Sequence, residues 1–171
     1  MSTFDSNSDA ALRFNRIQFA ELRSPIVFVA TGFGAGLSSI APGTVGTLVA
    51  VPFAAALLLA PMPLQWIVPI VAFLVGIPLC SACTAKLGGH DHPGIVWDEI
   101  AAFLFLPLVL PAQFIWLVPA FFLFRFFDIF KPWPIRDLDH RLHGGLGIML
   151  DDLVAALYAA FCLAGLRWVV T

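Results

Sequence analysis

The chain has 171 residues, 60% of them apolar and only 12% charged, with a mean hydropathy of +0.94 and a formal net charge of −2. Soluble domains carry about 25% charged residues, so the composition excludes an ordinary soluble globule, and the near-neutral charge gives no basis for a nucleic-acid partner. The reading is an integral membrane protein whose surroundings are a lipid bilayer.

The first 23 residues are polar and include Arg13, Arg16 and Arg23. They lack the apolar core and small-residue cleavage site of a signal peptide. Residues 1–23 are therefore read as a retained cytoplasmic arm and residues 24–171 as one membrane-embedded domain. From Ser24 to Ala85, sixty-two residues contain no Asp, Glu, Lys, Arg or His. Roughly 20 apolar residues cross a bilayer once, so this run is long enough for more than one crossing. Residues 25–36, short and glycine-rich, predict a re-entrant or partly inserted segment. Thr44 to Ala60, closed by Pro61-Met62-Pro63, and Leu64 to about Ala85 predict two helices. Cys80, Cys83 and Cys162 lie in apolar segments, and their odd number opposes a disulfide framework. Cys80 and Cys83 lack a second ligand pair and are read as small buried hydrophobes.

Residues 100–124 are uncharged and broken by Pro107, Pro111 and Pro119. As one straight helix they would span about 37 Å, placing Glu99 and Asp128 on opposite sides. As a hairpin turning at Pro111-Ala112-Gln113, they return both ends to one side. Proline removes a helix hydrogen bond and clashes with the preceding turn, so the hairpin is preferred. A last helix is predicted from Ile148 to about Val170. The fold class is thus an all-α compact bundle of about four to five transmembrane or half-spanning helices. Every Lys and Arg except Arg167 then falls on one side, which the bias of basic residues makes cytoplasmic.

Residues 124–152 concentrate five aspartates, four basic side chains and two histidines in an otherwise apolar chain. Asp98-Glu99 and Asp151-Asp152 are acidic pairs at the starts of apolar helices, and Asp128 ends another. Helix capping accounts for one carboxylate per helix start, not for two, nor for Asp128. Carboxylates near a membrane are costly unless paired or cation-bound. Asp98, Glu99, Asp128, Asp151 and Asp152 are therefore expected to converge on Mg²⁺ or a related divalent ion. Lys131, Arg136, Arg141 and His143 lie among these acids and supply the complement that a phosphate ester needs. For Arg125, membrane anchoring and a site role weigh equally. Glycine-rich residues 32–47 lack a preceding strand, so a dinucleotide loop is disfavoured. Pro42-Gly43-Thr44 opens a helix, with the Thr44 hydroxyl available to a phosphate or as a cap. The Gly-rich turn before Asp151 exposes N–H groups that could hold an anion.

Cys80-x5-Lys86 is the nearest approach to a cysteine-phosphatase signature, and Asp137-Leu138-Asp139 continues wrongly for an aspartyl nucleophile. Water activated by a metal is the nucleophile that remains. Asp139 is equally well an ion-pair partner of Arg136 or Arg141, and Asp91 equally well a helix cap.

Three blocks, SIAPGTVGTL at 39–48, DHPGIVWDEI at 91–100 and FDIFKPWPIRDLDHRLHGGLGIMLDD at 127–152, closely resemble the phosphatidylglycerophosphatase A family. With the segments between them they cover about residues 25–170, without departure in any block. The resemblance implies a Mg²⁺-dependent phosphatase of the bacterial inner membrane that converts phosphatidylglycerophosphate to phosphatidylglycerol. It places the family's acidic positions on Asp91, Asp98, Glu99, Asp128, Asp139, Asp151 and Asp152, and its basic ones on Lys131, Arg136, Arg141 and His143. Two other classes stay open. A CDP-alcohol phosphotransferase needs Asp-Gly and Ala-Arg pairs, of which GLGIMLDD supplies only the final aspartates. A small transporter would show an internal repeat, and none is found.

The lipid phosphate must reach the charged face while its acyl chains stay in the bilayer. A lateral groove leading to Asp98 and Asp128 is expected, lined from Phe103, Phe105, Phe121, Phe122, Phe124, Phe126 and Phe127. Trp97 and Trp133 are expected at headgroup level.

Overall fold

An apolar chain without strand alternation satisfies its backbone most readily by helix, where each segment pairs its own N–H and C=O groups. The computed structural model describes residues 17, 19–87, 92–133, 135 and 144–170, and every regular element among them is helical. Among the described residues six α-helices follow in chain order: α1 Pro25–Ala30, α2 Pro42–Leu58, α3 Met62–Leu87, α4 Trp97–Phe103, α5 Leu117–Phe130 and α6 Gly145–Val170. The described residues also hold single 3₁₀ turns at Glu21–Arg23, before α1, and at Ala35–Leu37, Leu106–Leu108 and Phe114–Trp116, between helices.

The predicted helix at 44–60 is observed as α2, which starts two residues earlier because Pro42 fits the first helical position. Residues 25–36 form α1, a turn and a 3₁₀ turn rather than one element. The chain reverses between α4 and α5 as expected of a hairpin, with Gln113 N–H donating to Pro111 C=O. Its two arms are unequal: α4 has 7 residues and α5 has 14. Phe103 of α4 meets Phe121 and Phe124 of α5 edge-on, at 6.5 and 5.8 Å between ring centres.

The short α4 is the centre of the molecule, packed against α2, α3 and α6. Ile100, Ala101, Ala102 and Phe103 are all buried. Close approach is needed on two sides of this arrangement. A side chain at Gly46 on α2 would overlap Val96, just before α4, and one at Gly145 on α6 would overlap the Ile77 carbonyl of α3. Small residues let apolar helices come this close. Trp97 Nε1 donates to the Ala72 carbonyl at 3.0 Å, tying α4 to α3.

The outer surface is apolar. α3 and α6, 26 residues each, are long and apolar enough to cross a membrane, and only 22% of the apolar window of each is buried. A core helix of a soluble protein would be mostly buried instead. Trp66, Ile70, Leu74, Leu157, Phe161 and Val169 all point outward.

Candidate metal and phosphate site

Four elements meet at one end of the bundle. The first turn of α2 brings Gly43, α4 opens with Asp98-Glu99, the last two turns of α5 bring Arg125 and Asp128, and the second turn of α6 carries Asp151-Asp152. All of these residues line one cavity of about 350 Å³, together with His92, Lys131, Ile129 and Ile148. The five carboxylates named from the sequence are thus gathered in space, although they come from three helices up to 54 residues apart along the chain.

They are not equivalent. Asp98, Glu99 and Asp152 each offer an oxygen within 4.8 Å of the others. Asp98 Oδ1, Glu99 Oε2 and Asp152 Oδ2 are buried and have no hydrogen-bond partner among the described residues. Burial pushes the Asp98 carboxyl well above its usual range, and the neighbouring charges of Glu99 and Asp152 push the same way. Burial likewise pushes Glu99 up, to about 7, with the Arg125 charge opposing it. Hard, buried, unsatisfied oxygens converging in this way fit a divalent cation, which supplies the charge that the low-dielectric setting lacks.

Asp128 and Asp151 instead hold cations of the chain. Arg125 Nη1 lies 2.5 Å from Asp128 Oδ2. Lys131 Nζ donates to Asp151 Oδ2 at 2.7 Å. Lys131 caps α5 in the left-handed region, at φ 41°, directly before Pro132. For a non-glycine residue this conformation is costly, and it turns the side chain back toward α6.

Of the other residues named from the sequence, Thr44 stands in the first turn of α2 but not in the cavity wall; its neighbour Gly43 takes that place. Nor does Thr44 cap the helix, since no side chain caps α2. Arg136, Arg141, His143, Asp91 and Asp139 lie outside the described residues. Phe103 and Phe124 are fully buried in the core rather than on a groove, because they close the α4–α5 hairpin. Trp97 is half-buried with its N–H committed to the Ala72 carbonyl of α3, whereas Trp133 is exposed. Sequence reasoning left Arg125 undecided and passed over Thr47 and His92. The i,i+3 spacing of Arg125 and Asp128 was the one local signal for the first.

The architecture and this cavity define a class: a helical protein with long outward-facing apolar helices and an acid-lined, cation-bearing cleft suited to phosphate-ester chemistry. Residues 28–167 match the family model described as phosphatidylglycerophosphatase A. A phosphatidylglycerophosphatase A of Haemophilus influenzae is 42% identical over 156 residues, covering 90% of this chain and 96% of its own. That of Escherichia coli K12 is 40% identical over 141 residues, covering 82% of each. A Bacteroides thetaiotaomicron protein, provisionally named a phosphatidylinositol-3-phosphatase, is 34% identical over 151 residues, covering 84% of this chain and 94% of its own. No solved structure matches. The chain belongs to the phosphatidylglycerophosphatase A family and is a phosphatase. The transferase and transporter readings are accordingly set aside.

Proposed function

We propose that the protein hydrolyses phosphatidylglycerophosphate to phosphatidylglycerol and inorganic phosphate with the help of Mg²⁺, at the cytoplasmic face of a bacterial inner membrane. The observation that carries this reading is the cluster of Asp98, Glu99 and Asp152, whose buried oxygens lie within 4.8 Å of one another beside Lys131. Its relatives' names supply the substrate class.

Asp98, Glu99 and Asp152 would hold the ion, with Asp128 and Asp151 beside them. A divalent ion bound there supplies Lewis acidity toward a phosphate ester and makes water acidic enough to serve as nucleophile. The chain's own part is positioning and charge. Water oxygen becomes bonded to phosphorus, the bond from phosphorus to the glycerol oxygen breaks, and that oxygen leaves with a proton. Lys131 offsets charge on the phosphate, and Arg136, Arg141 and His143 are proposed to bind the same group or the bridging phosphodiester.

The membrane setting is supported by the apolar exterior. On α5, Phe122, Phe126, Ile129 and Phe130 are exposed in succession, and Ile129 is also part of the cavity wall. An apolar strip running into an acidic cleft suits a lipid whose tails stay in the bilayer. Phosphate release should be measured from phosphatidylglycerophosphate, phosphatidic acid and phosphatidylinositol 3-phosphate, with Mg²⁺ and with a chelator. Preference for the first and loss of turnover in chelator are expected. Turnover that survives chelation would retire the divalent ion, and preference for either other lipid would retire the substrate.

A further inference from the structure

The cavity has two Lys or Arg side chains among the described residues, and they differ in kind. Lys131 reaches in from a turn, with 27% of its side chain exposed. Arg125 is enclosed, at 12%. Its Nη1 lies 2.5 Å from Asp128 Oδ2, 3.6 Å from Glu99 Oε1 and 3.5 Å from Thr47 Oγ1. The Thr47 hydroxyl donates its own hydrogen to the Gly43 carbonyl at 2.9 Å, so toward Arg125 it can only accept. Thr47 is fully buried, as is Phe124 immediately before Arg125. A membrane-anchoring arginine carries its head out to the interface; this one turns inward, onto two carboxylates and a buried hydroxyl.

Gly43 shows how closely the arrangement is fitted. A Cβ there would overlap Glu99 Oε1 and stand 3.1 Å from Arg125 Nη1. Glu99 is therefore confined between α2 and the guanidinium. One of its oxygens faces Arg125, while the other, Oε2, has no partner among the described residues. A cation bridging Glu99 Oε1 and Asp128 Oδ2 would have to stand where Nη1 stands.

We propose that Arg125 is a positioning residue: a fixed internal cation that holds Glu99 and Asp128 and takes the place of a second divalent ion, leaving Asp98, Glu99 and Asp152 to bind one. The proposal rests on the divalent-ion reading given above. Many two-metal phosphatases clamp an ester between ions about 3.5–4 Å apart; here one of the two positive centres is built into the chain.

The full chain in detergent should be titrated with Mn²⁺ by electron paramagnetic resonance, alongside lipid turnover. One Mn²⁺ per wild-type chain is expected, and two would overturn the assignment. Arg125→Met should admit a second Mn²⁺ and lower kcat about ten- to a hundredfold, the range seen when a group behind metal ligands is lost, while KM for the lipid changes much less. Arg125→Lys should keep one Mn²⁺ and recover part of kcat. An Arg125→Met protein that binds one Mn²⁺ or keeps wild-type kcat would refute the proposal. If Arg125→Met does not fold, Thr47→Val removes only the acceptor behind the guanidinium; a several-fold loss of kcat at unchanged Mn²⁺ stoichiometry is expected, and unchanged kcat would refute it. Chelator-resistant activity of the wild type would instead strike the divalent-ion reading itself.

Discussion

Asp98 and Asp152, like Glu99, each have a buried oxygen without a hydrogen-bond partner among the described residues, so each has more to lose than a surface acid. Asp98→Ala or Asp152→Ala should abolish phosphate release and weaken Mn²⁺ binding. Without divalent ion either variant should be at least as stable as wild type in thermal unfolding, because the like-charge repulsion is relieved. Lys131 behaves differently. It neutralises Asp151 at 2.7 Å, so removing it takes away a cation rather than a ligand. Lys131→Met should therefore reduce kcat while leaving Mn²⁺ affinity equal or tighter; a proportionate loss of both would mean that Lys131 only props up the metal centre. The pH response of the metal-free protein has a definite sign. Glu99 is raised to about 7 in the fold from an ordinary 4.5, so its contribution is fully present below about 4.5 and is lost as pH rises toward 7. Thermal unfolding in chelator should show stability falling across that window, and Mg²⁺ should restore it most at the alkaline end, where the carboxylates are free of protons.

At the scale of elements, α6 meets α3 in a close contact that leaves no room for a side chain. Gly145 abuts both the Ile77 carbonyl and Ser81 of α3, which are parts of a helix and cannot give way. Gly145→Ala should cost about 1–3 kcal/mol, the usual range for overpacking. Gly76 faces only the flexible end of Met149 and the edge of Trp97. Thioethers adapt, so Gly76→Ala should cost less. Gly165 has nothing within 4 Å, and Gly165→Ala should gain up to about 1 kcal/mol from helix propensity alone. Thermal unfolding of the three variants in one detergent checks the order; an equal response at Gly145 and Gly165 would contradict the α3–α6 packing. The hairpin itself was legible, because Pro111 stops a helix whatever surrounds it. The lengths of its arms were not, since the tertiary packing of Phe103 against Phe121 and Phe124 decides where α4 can end.

For the whole molecule, the apolar exterior and the cleft at one end suit the proposed reading of an enzyme that takes its substrate from the plane of the lipid. Turnover of intact phosphatidylglycerophosphate in mixed micelles should exceed that of the soluble glycerophosphate headgroup by orders of magnitude in kcat/KM. Equal values would show that the strip from Phe122 to Ile129 plays no part in substrate capture.

Composition and the lack of strand alternation pointed to a helical, lipid-compatible chain, since helix is the readiest way for such a chain to satisfy its backbone. The acidic and basic residues of the site were legible for a related reason: in such a chain an ionisable group is expensive and needs a purpose. Their division of labour was not. Asp98, Glu99 and Asp152 share space while Asp128 and Asp151 hold cations, and this depends on which helix faces which across separations that no local spacing records. Arg125 shows the limit most plainly. Its sequence position, at the end of an apolar run, fits a membrane anchor and a buried counter-ion equally, and only the approach of α2, with Gly43 against Glu99 and Thr47 against the guanidinium, shows it turned inward.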